Sequence, residues 1–294
     1  MPSLIYMPRP EDKAMAAEPS VKAGKLTLRH VSKSYDVDGR DLLVLDNVDL
    51  TIAPGEFTSI VGPSGCGKST LLRLIVGLDD EYAGDIQLDD ERIVGTSLKR
   101  GIVFQDHRLL PWLTLERNIE LGLENSDVPR AARRAAVADL LDLVGLNGFE
   151  KVFPYQLSGG MAQRAAIARG LVTKPEVLLL DEPLGALDAL TRQRLQEELL
   201  TIWEAEQVTM VLVTHDVEEA IYLSKRVIVM HPNPGRIAAD IAIDLPYPRD
   251  RASDDFARIR REVLDAMGAS THVMIPRRPK SAPVVDASVA IGRI

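Results

Sequence analysis

The sequence has one cysteine, no apolar run of membrane-spanning length, no recognisable leader and no excess of positive charge. Each shortage excludes a class of protein. The longest apolar runs, such as LLRLIVGL and VLLL, stop far short of the ~18 residues needed to cross a bilayer, so any link to a membrane must go through a partner. The opening MPSLIYMPRPEDKAMAAEPS is broken by prolines and early charges, which argues against a signal peptide. Cys66 has no second cysteine to pair with, in keeping with a reducing cytoplasm. A formal net charge of −8 argues against a nucleic-acid partner, which would call for basic surface. No internal repeat is present. A 46% hydrophobic share over 294 residues is enough for one large α/β domain or two small ones.

What is present is organised around residues 62 to 70, GPSGCGKST, between the strand-like EFTSIV and the helix-like LLRLIVGL. Gly62, Gly67, Lys68 and Ser69 fit the spacing G-x-x-x-x-G-K-[ST]. Such a loop curls backbone N–H groups around a phosphate chain, and the positive end of the following helix adds to them. The loop predicts a nucleotide site made of Gly62, Pro63, Ser64, Gly65, Cys66, Gly67, Lys68, Ser69 and Thr70. Lys68 reaches the β- and γ-phosphates, Ser69 offers a hydroxyl to Mg²⁺ and Thr70 touches the α-phosphate. Cys66 reads as a small tolerated side chain rather than a reactive one.

Along the chain, residues 1–24 lack periodicity and read as a mobile tail. In KLTLRHVSKSY, Leu26, Leu28 and His30 alternate with Thr27, Arg29 and Val31, so either face can be the buried one. With LLVLDNVDLTI it predicts an antiparallel layer. GDIQLDDERI reads as a short hairpin, and residues 101 to 105 as a buried strand ending at Gln105. Helices over 115–123 and 130–144, the second stopped by Gly145, and a third capped by Ser158 interrupt the strands. They suggest an inserted helical subdomain at about 106–173. Two more apolar strands end at Asp181 and His215, a long helix runs from 188 to 206, and Asp216 with Glu219 reads as a capping box. A strand pair around HPNPG closes a domain over 25–248. In the remaining 249–294, Ser253 caps a helix whose Phe256, Ile259, Val263 and Met267 form one packing stripe, stopped at Gly268, and RRPK lies in an exposed tail. Strands alternating with helices predict an α/β fold with a mostly parallel sheet.

In such a sheet the ligand lies at the carboxyl ends of the strands, which here deliver Gln105, Asp181 with Glu182, and His215. Asp181 is placed to hold the Mg²⁺ bound to Ser69, and Glu182 to face the water attacking the γ-phosphate. His215 can hydrogen-bond that phosphate. Ser158, Gly159 and Gly160 open a second helix able to grip an anion, yet Ser69 already closes the first site. The two helix ends therefore suggest two chains exchanging them across each nucleotide.

Together these motifs resemble the ATP-binding subunit of an ABC transporter, over roughly residues 25 to 245. The resemblance implies a P-loop ATPase core with Walker A at residues 62 to 70, Gln105 as the Q-loop residue that also reaches the metal, the signature LSGG at 157 to 160, Walker B ending at Asp181, Glu182 as the base, Asp188 of the D-loop beside the nucleotide, and His215 as the switch. It places Tyr35 against adenine. Met161 stands where glutamine is usual and Gly185 where serine is common. It further implies ATP and Mg²⁺ as cofactors, an ATP-sandwich dimer with a second copy of the subunit, membrane permease subunits, a solute-binding protein acting indirectly, and a peripheral place on the cytoplasmic face of the inner membrane. FQDHRLLPWLTLERNI, LGALDALTR and PNPGRI are similar to the ATPases of nitrate, sulfonate and taurine importers. The alternatives are an importer ATPase for another solute or a soluble ABC-type ATPase. Against a soluble repair-type ATPase, only 53 positions separate Gln105 from Ser158, too few for an inserted coiled coil.

Overall fold

In a computed structural model, the structure describes residues 23–268. Most of the expected N-terminal tail, and the RRPK tail, lie outside the described residues. Gly24, placed by sequence in that tail, is buried: its N–H donates to Glu176 O and its carbonyl accepts from Thr209 Oγ1 at 2.7 Å.

The expected antiparallel layer forms from β1 (Leu26–Val37), β2 (Arg40–Ile52), β4 (Ala83–Leu88) and β5 (Glu91–Arg92), in the order β2-β1-β4-β5. The expected hairpin GDIQLDDERI forms as β4 and β5 and joins this layer through β1. The ambiguity of β1 is resolved by a bulge. His30 adopts a left-handed backbone at φ 51° and the pairing register shifts between Leu28 and Val31. The extra residue reverses the alternation, so Leu26, Leu28 and Val31 all bury in one core.

The second sheet has the order β10-β9-β3-β8-β7-β6, comprising β3 (Phe57–Val61), β6 (Arg100–Val103), β7 (Val177–Asp181), β8 (Thr209–Thr214), β9 (Arg226–His231) and β10 (Arg236–Ala242). All its pairings are parallel except β9 with β10. Its central strands β3, β7 and β8 are buried almost throughout because both faces are covered. Phe57, Leu178, Leu180, Met210 and Leu212 face one core; Ile60, Leu179, Val211 and Val213 face the other, beneath the antiparallel layer and α1 (Lys68–Val76).

The first of these cores also takes α2 (Leu115–Glu120), α3 (Arg130–Leu143) and α4 (Gly159–Leu171). The helix expected over 115–123 tightens to a 3₁₀ turn at Leu121–Leu123, and Gly145, at φ 63°, follows the end of α3. Three more helices, α5 (Ala189–Glu206), α6 (Val217–Leu223) and α7 (Asp254–Gly268), complete the fold. The Ser253 hydroxyl accepts from Phe256 N, and Phe256, Ile259 and Val263 bury against the domain, as the stripe predicts.

Candidate active site

β3 delivers the chain into the loop at Gly62, and α1 carries it away from Lys68. Gly67 takes φ 94° at the helix start, where a Cβ would sit 2.5 Å from Leu45 Cδ2, so this position needs both the conformation and the space of glycine. The Lys68 ammonium is buried and donates to the carbonyls of Gly62 at 2.8 Å and Pro63 at 3.2 Å. Ser64 and Gly65 are exposed at the loop tip, and Thr70 is half-buried in the first turn of α1. Burial pushes the Cys66 thiol up, with the Lys68 charge opposing, which keeps it protonated and inert.

Because β8 lies between β3 and β7, the ends of all three strands meet beside this loop. Ser69 Oγ donates to Asp181 Oδ1 at 3.1 Å across 112 residues of sequence. Burial pushes the Asp181 carboxyl above the usual range, against the pull of the Ser69 hydrogen bond. A half-desolvated carboxylate next to a hydroxyl is a hard-oxygen donor pair that suits Mg²⁺. The next residue, Glu182, sits at φ 47°, its N–H donating to Val213 O. A left-handed non-glycine backbone costs on the order of 1–3 kcal/mol and is held only by its surroundings. It leaves Glu182 Oε2 3.1 Å from His215 Nδ1.

The strand expected to end at Gln105 ends at Val103, which leaves Gln105 exposed beyond the sheet edge. It is still near the acids, since a Cβ on Gly185 would lie 3.2 Å from Gln105 Nε2 and 3.8 Å from Glu182 Oε2. The serine common at 185 would crowd Gln105.

Ser158 caps α4 by accepting from Met161 N, and both Ser158 and Gly159 are exposed. A Cβ on Gly160 would stand 2.8 Å from Thr191 Cγ2. This sets the signature turn against the start of α5, where Asp188 accepts from Leu190 N and Thr191 N. The Thr191 hydroxyl first, and then those backbone hydrogen bonds, hold the Asp188 carboxyl below its usual range. Tyr35 is tied by its hydroxyl to Asp79, past the C-terminal end of α1, with Lys33 over its ring at 4.7 Å.

A match to the family of ABC transporters spans residues 45–185. The aliphatic sulfonates import ATP-binding protein SsuB of Bacillus cereus is 51% identical over 236 residues, covering 80% of this chain and 92% of that protein. An uncharacterized ABC transporter ATP-binding protein of Methanocaldococcus jannaschii is 46% identical over 243 residues, 83% of this chain and 91% of that one. The chain belongs to the ABC transporter family. Among solved structures, the dimeric post-hydrolysis state of the ATP-binding cassette MJ0796 bound to ADP and Pi matches with a TM-score of 0.65 at 34% identity, over 75% of this chain and all of that one. The structure of cbiO1 from Clostridium perfringens, part of the ABC transporter complex cbiONQ, matches at 0.69 and 26% identity, over 84% of this chain and 98% of that one. This ABC cassette is therefore an ATP-binding, ATP-hydrolysing protein.

Two features of the cassette escaped the sequence reading. The expected capping box at Asp216 is half made: Asp216 accepts from the N–H groups of Glu218 and Glu219, but its own N–H donates to Thr214 Oγ1 and the Glu219 side chain turns inward. The turn PNPGRI packs against the phosphate loop. Gly235 N donates to Val44 O, and a Cβ on Gly235 would stand 2.2 Å from Cys66 O and 2.9 Å from Val44 O. Both obstacles are backbone, so Gly235→Ala must shift the loop, at a cost of about 1–3 kcal/mol for overpacking. Titration calorimetry with ATP is expected to show affinity weakened roughly tenfold or more, since ~1.4 kcal/mol is a decade. Wild-type affinity would show that the loop absorbs the methyl group freely.

Proposed function

We propose that this chain powers an importer of small sulfonate-type anions, working as a head-to-tail dimer beneath membrane permease subunits that receive solute from a binding protein. The observation that carries the chemistry is the meeting of Ser69 with Asp181 and of Glu182 with His215 at one sheet edge. The dimer is supported by the exposure of Ser158 and Gly159 on a separate helix start, a second anion-binding terminus free to complete the site of another copy. Among the described residues no helix is long and apolar enough to cross a membrane, so the permease would supply the membrane path and this chain would sit peripherally on it.

In this reading the backbone N–H groups of the phosphate loop and the Lys68 ammonium hold the β- and γ-phosphates, and Tyr35 lies against adenine. Ser69 and Asp181 would hold Mg²⁺, with Gln105 completing its shell. Bound there, the ion would neutralise phosphate charge as it develops. Water attacks the γ-phosphorus, its proton passes to the Glu182 carboxylate, and the bond to ADP breaks. His215 and Gln105 place the water, while Ser158 with its glycines and Asp188 closes the site from the second copy.

The solute class rests on the 51% identity to a protein named as a sulfonate importer subunit. Deleting the gene is expected to abolish growth on an alkanesulfonate as sole sulfur source while growth on sulfate continues. Unimpaired growth on alkanesulfonates, taurine and nitrate, with failure on an amino acid or polyamine, would overturn the solute class and leave the ATPase standing.

A further inference from the structure

The segment after β10 grips the C-terminal end of α6 and reaches its start through Gln196 of α5. At the helix C-terminus, where carbonyls lack partners, buried Arg249 donates to Ile221 O and Ser224 O, and Tyr247 Oη donates to Leu223 O at 2.7 Å. At the same end, Arg251 lies 3.9 Å over the ring of Tyr222, the penultimate residue of α6, and donates to Gln196 Oε1 on α5. Gln196 is 1% exposed and its Nε2 donates to Glu219 Oε1 at 3.3 Å; Glu219 is 3% exposed and also bonds the Thr214 hydroxyl. Thr214 is the last residue of β8, directly before His215. Glu219, Thr214, His215 and Glu182 line one cavity of about 20 Å³.

A glutamate buried this deeply costs free energy unless something uses it. Burial pushes its carboxyl up, and the charges facing it are Asp216, which adds to that, and Arg192, which opposes it. It does not serve the helix cap, for the reason given above. Its bonds run instead from the C-terminal segment to the strand end that presents His215.

We propose that Arg251, Gln196 and Glu219 form a positioning relay that fixes His215 against Glu182, so that the segment following the sheet is a working part of the hydrolytic site. This rests on the reading of His215 as a residue that places the attacking water. None of the three touches the nucleotide; they act through the backbone and side chain at 214–215.

The test uses the full chain with ATP and Mg²⁺. Arg251→Ala and Glu219→Leu are each expected to lower kcat about tenfold with KM for ATP changed less than about twofold, because small displacements of a water-placing group act on the barrier. Glu219→Gln, which keeps an acceptor for Thr214, should recover most of the rate. In spectra of ¹⁵N-labelled imidazoles, assigned with His215→Gln, the His215 signals should move in Arg251→Ala while those of His30 and His107 stay. Should Glu219→Leu fail to fold, Arg251→Ala carries the test alone. Unmoved His215 signals, or moved signals with a wild-type kcat, would overturn the relay. A His215→Ala protein hydrolysing at the wild-type rate would instead remove the histidine role itself, whereas an impaired His215→Ala beside fully active relay variants would sink the relay alone.

Discussion

Glu182→Gln is expected to lower steady-state ATP hydrolysis by roughly 10²–10⁴-fold, the range lost with a general base, while ATP still binds. The substitution keeps the shape of the side chain and removes only its capacity to take a proton. The backbone at φ 47° is held by Glu182 N donating to Val213 O, a bond the substitution leaves alone. A glutamine amide can also pair with His215 Nδ1, now 3.1 Å from Glu182 Oε2, so the site keeps its geometry without its base. Nucleotide that binds but is not cleaved should hold two copies together. Size-exclusion chromatography with ATP and Mg²⁺ is therefore expected to show a dimer that the wild type does not accumulate. Turnover within about twofold of wild type, well inside the range a general base supplies, would remove Glu182 from the base role.

Lys68→Ala is expected to abolish measurable ATP binding, a loss of roughly a hundredfold or more if the charge-assisted bond contributes about 3 kcal/mol. Lys68 is 6% exposed, and its ammonium donates to the carbonyls of Gly62 and Pro63 inside the loop. Truncation removes the only side-chain cation in residues 62 to 70 and leaves two inward-facing carbonyls without that donor. Equilibrium dialysis with labelled ATP reads the affinity, and the far-ultraviolet circular dichroism should stay that of the wild type because α1 keeps its alanine-compatible first turn. ATP binding within about threefold of wild type, far short of the loss of a charged hydrogen bond, would show that the backbone of the loop alone holds the phosphates.

The residues of the candidate site were legible one strand end at a time. Residues 62 to 70 announce themselves because a phosphate loop is a local structure, nine consecutive residues between a strand and a helix. Asp181 and His215 are visible because each ends a run of apolar residues buried on both faces, and Asp188 and Ser158 because a helix start needs a side-chain acceptor there. Where the reading stayed open or went astray, the deciding partner lay far off in sequence. β1 presents Leu26, Leu28 and Val31 to one core only because a bulge at His30 meets Gly84, whose Cβ would stand 2.4 Å from His30 O. Glu219 obeys a capping pattern on paper but has Gln196 of another helix as its partner.

The sequence by itself thus determined the glycine-rich loop, the α/β class, the strand ends that carry acids and the two helix starts proposed to bind anions, since each depends on hydrogen bonds and hydrophobic periods within a few residues. Only the tertiary structure decided that Ser69 meets Asp181 across 112 residues, that Glu182 meets His215 across 33, and that Gly235 props the phosphate loop at Cys66. The reason is the order of the parallel sheet. β3, β8 and β7 are neighbours in space but not in sequence, and crossover connections through helices set that order by packing on both faces of the sheet, a global constraint that no local pattern of residues records.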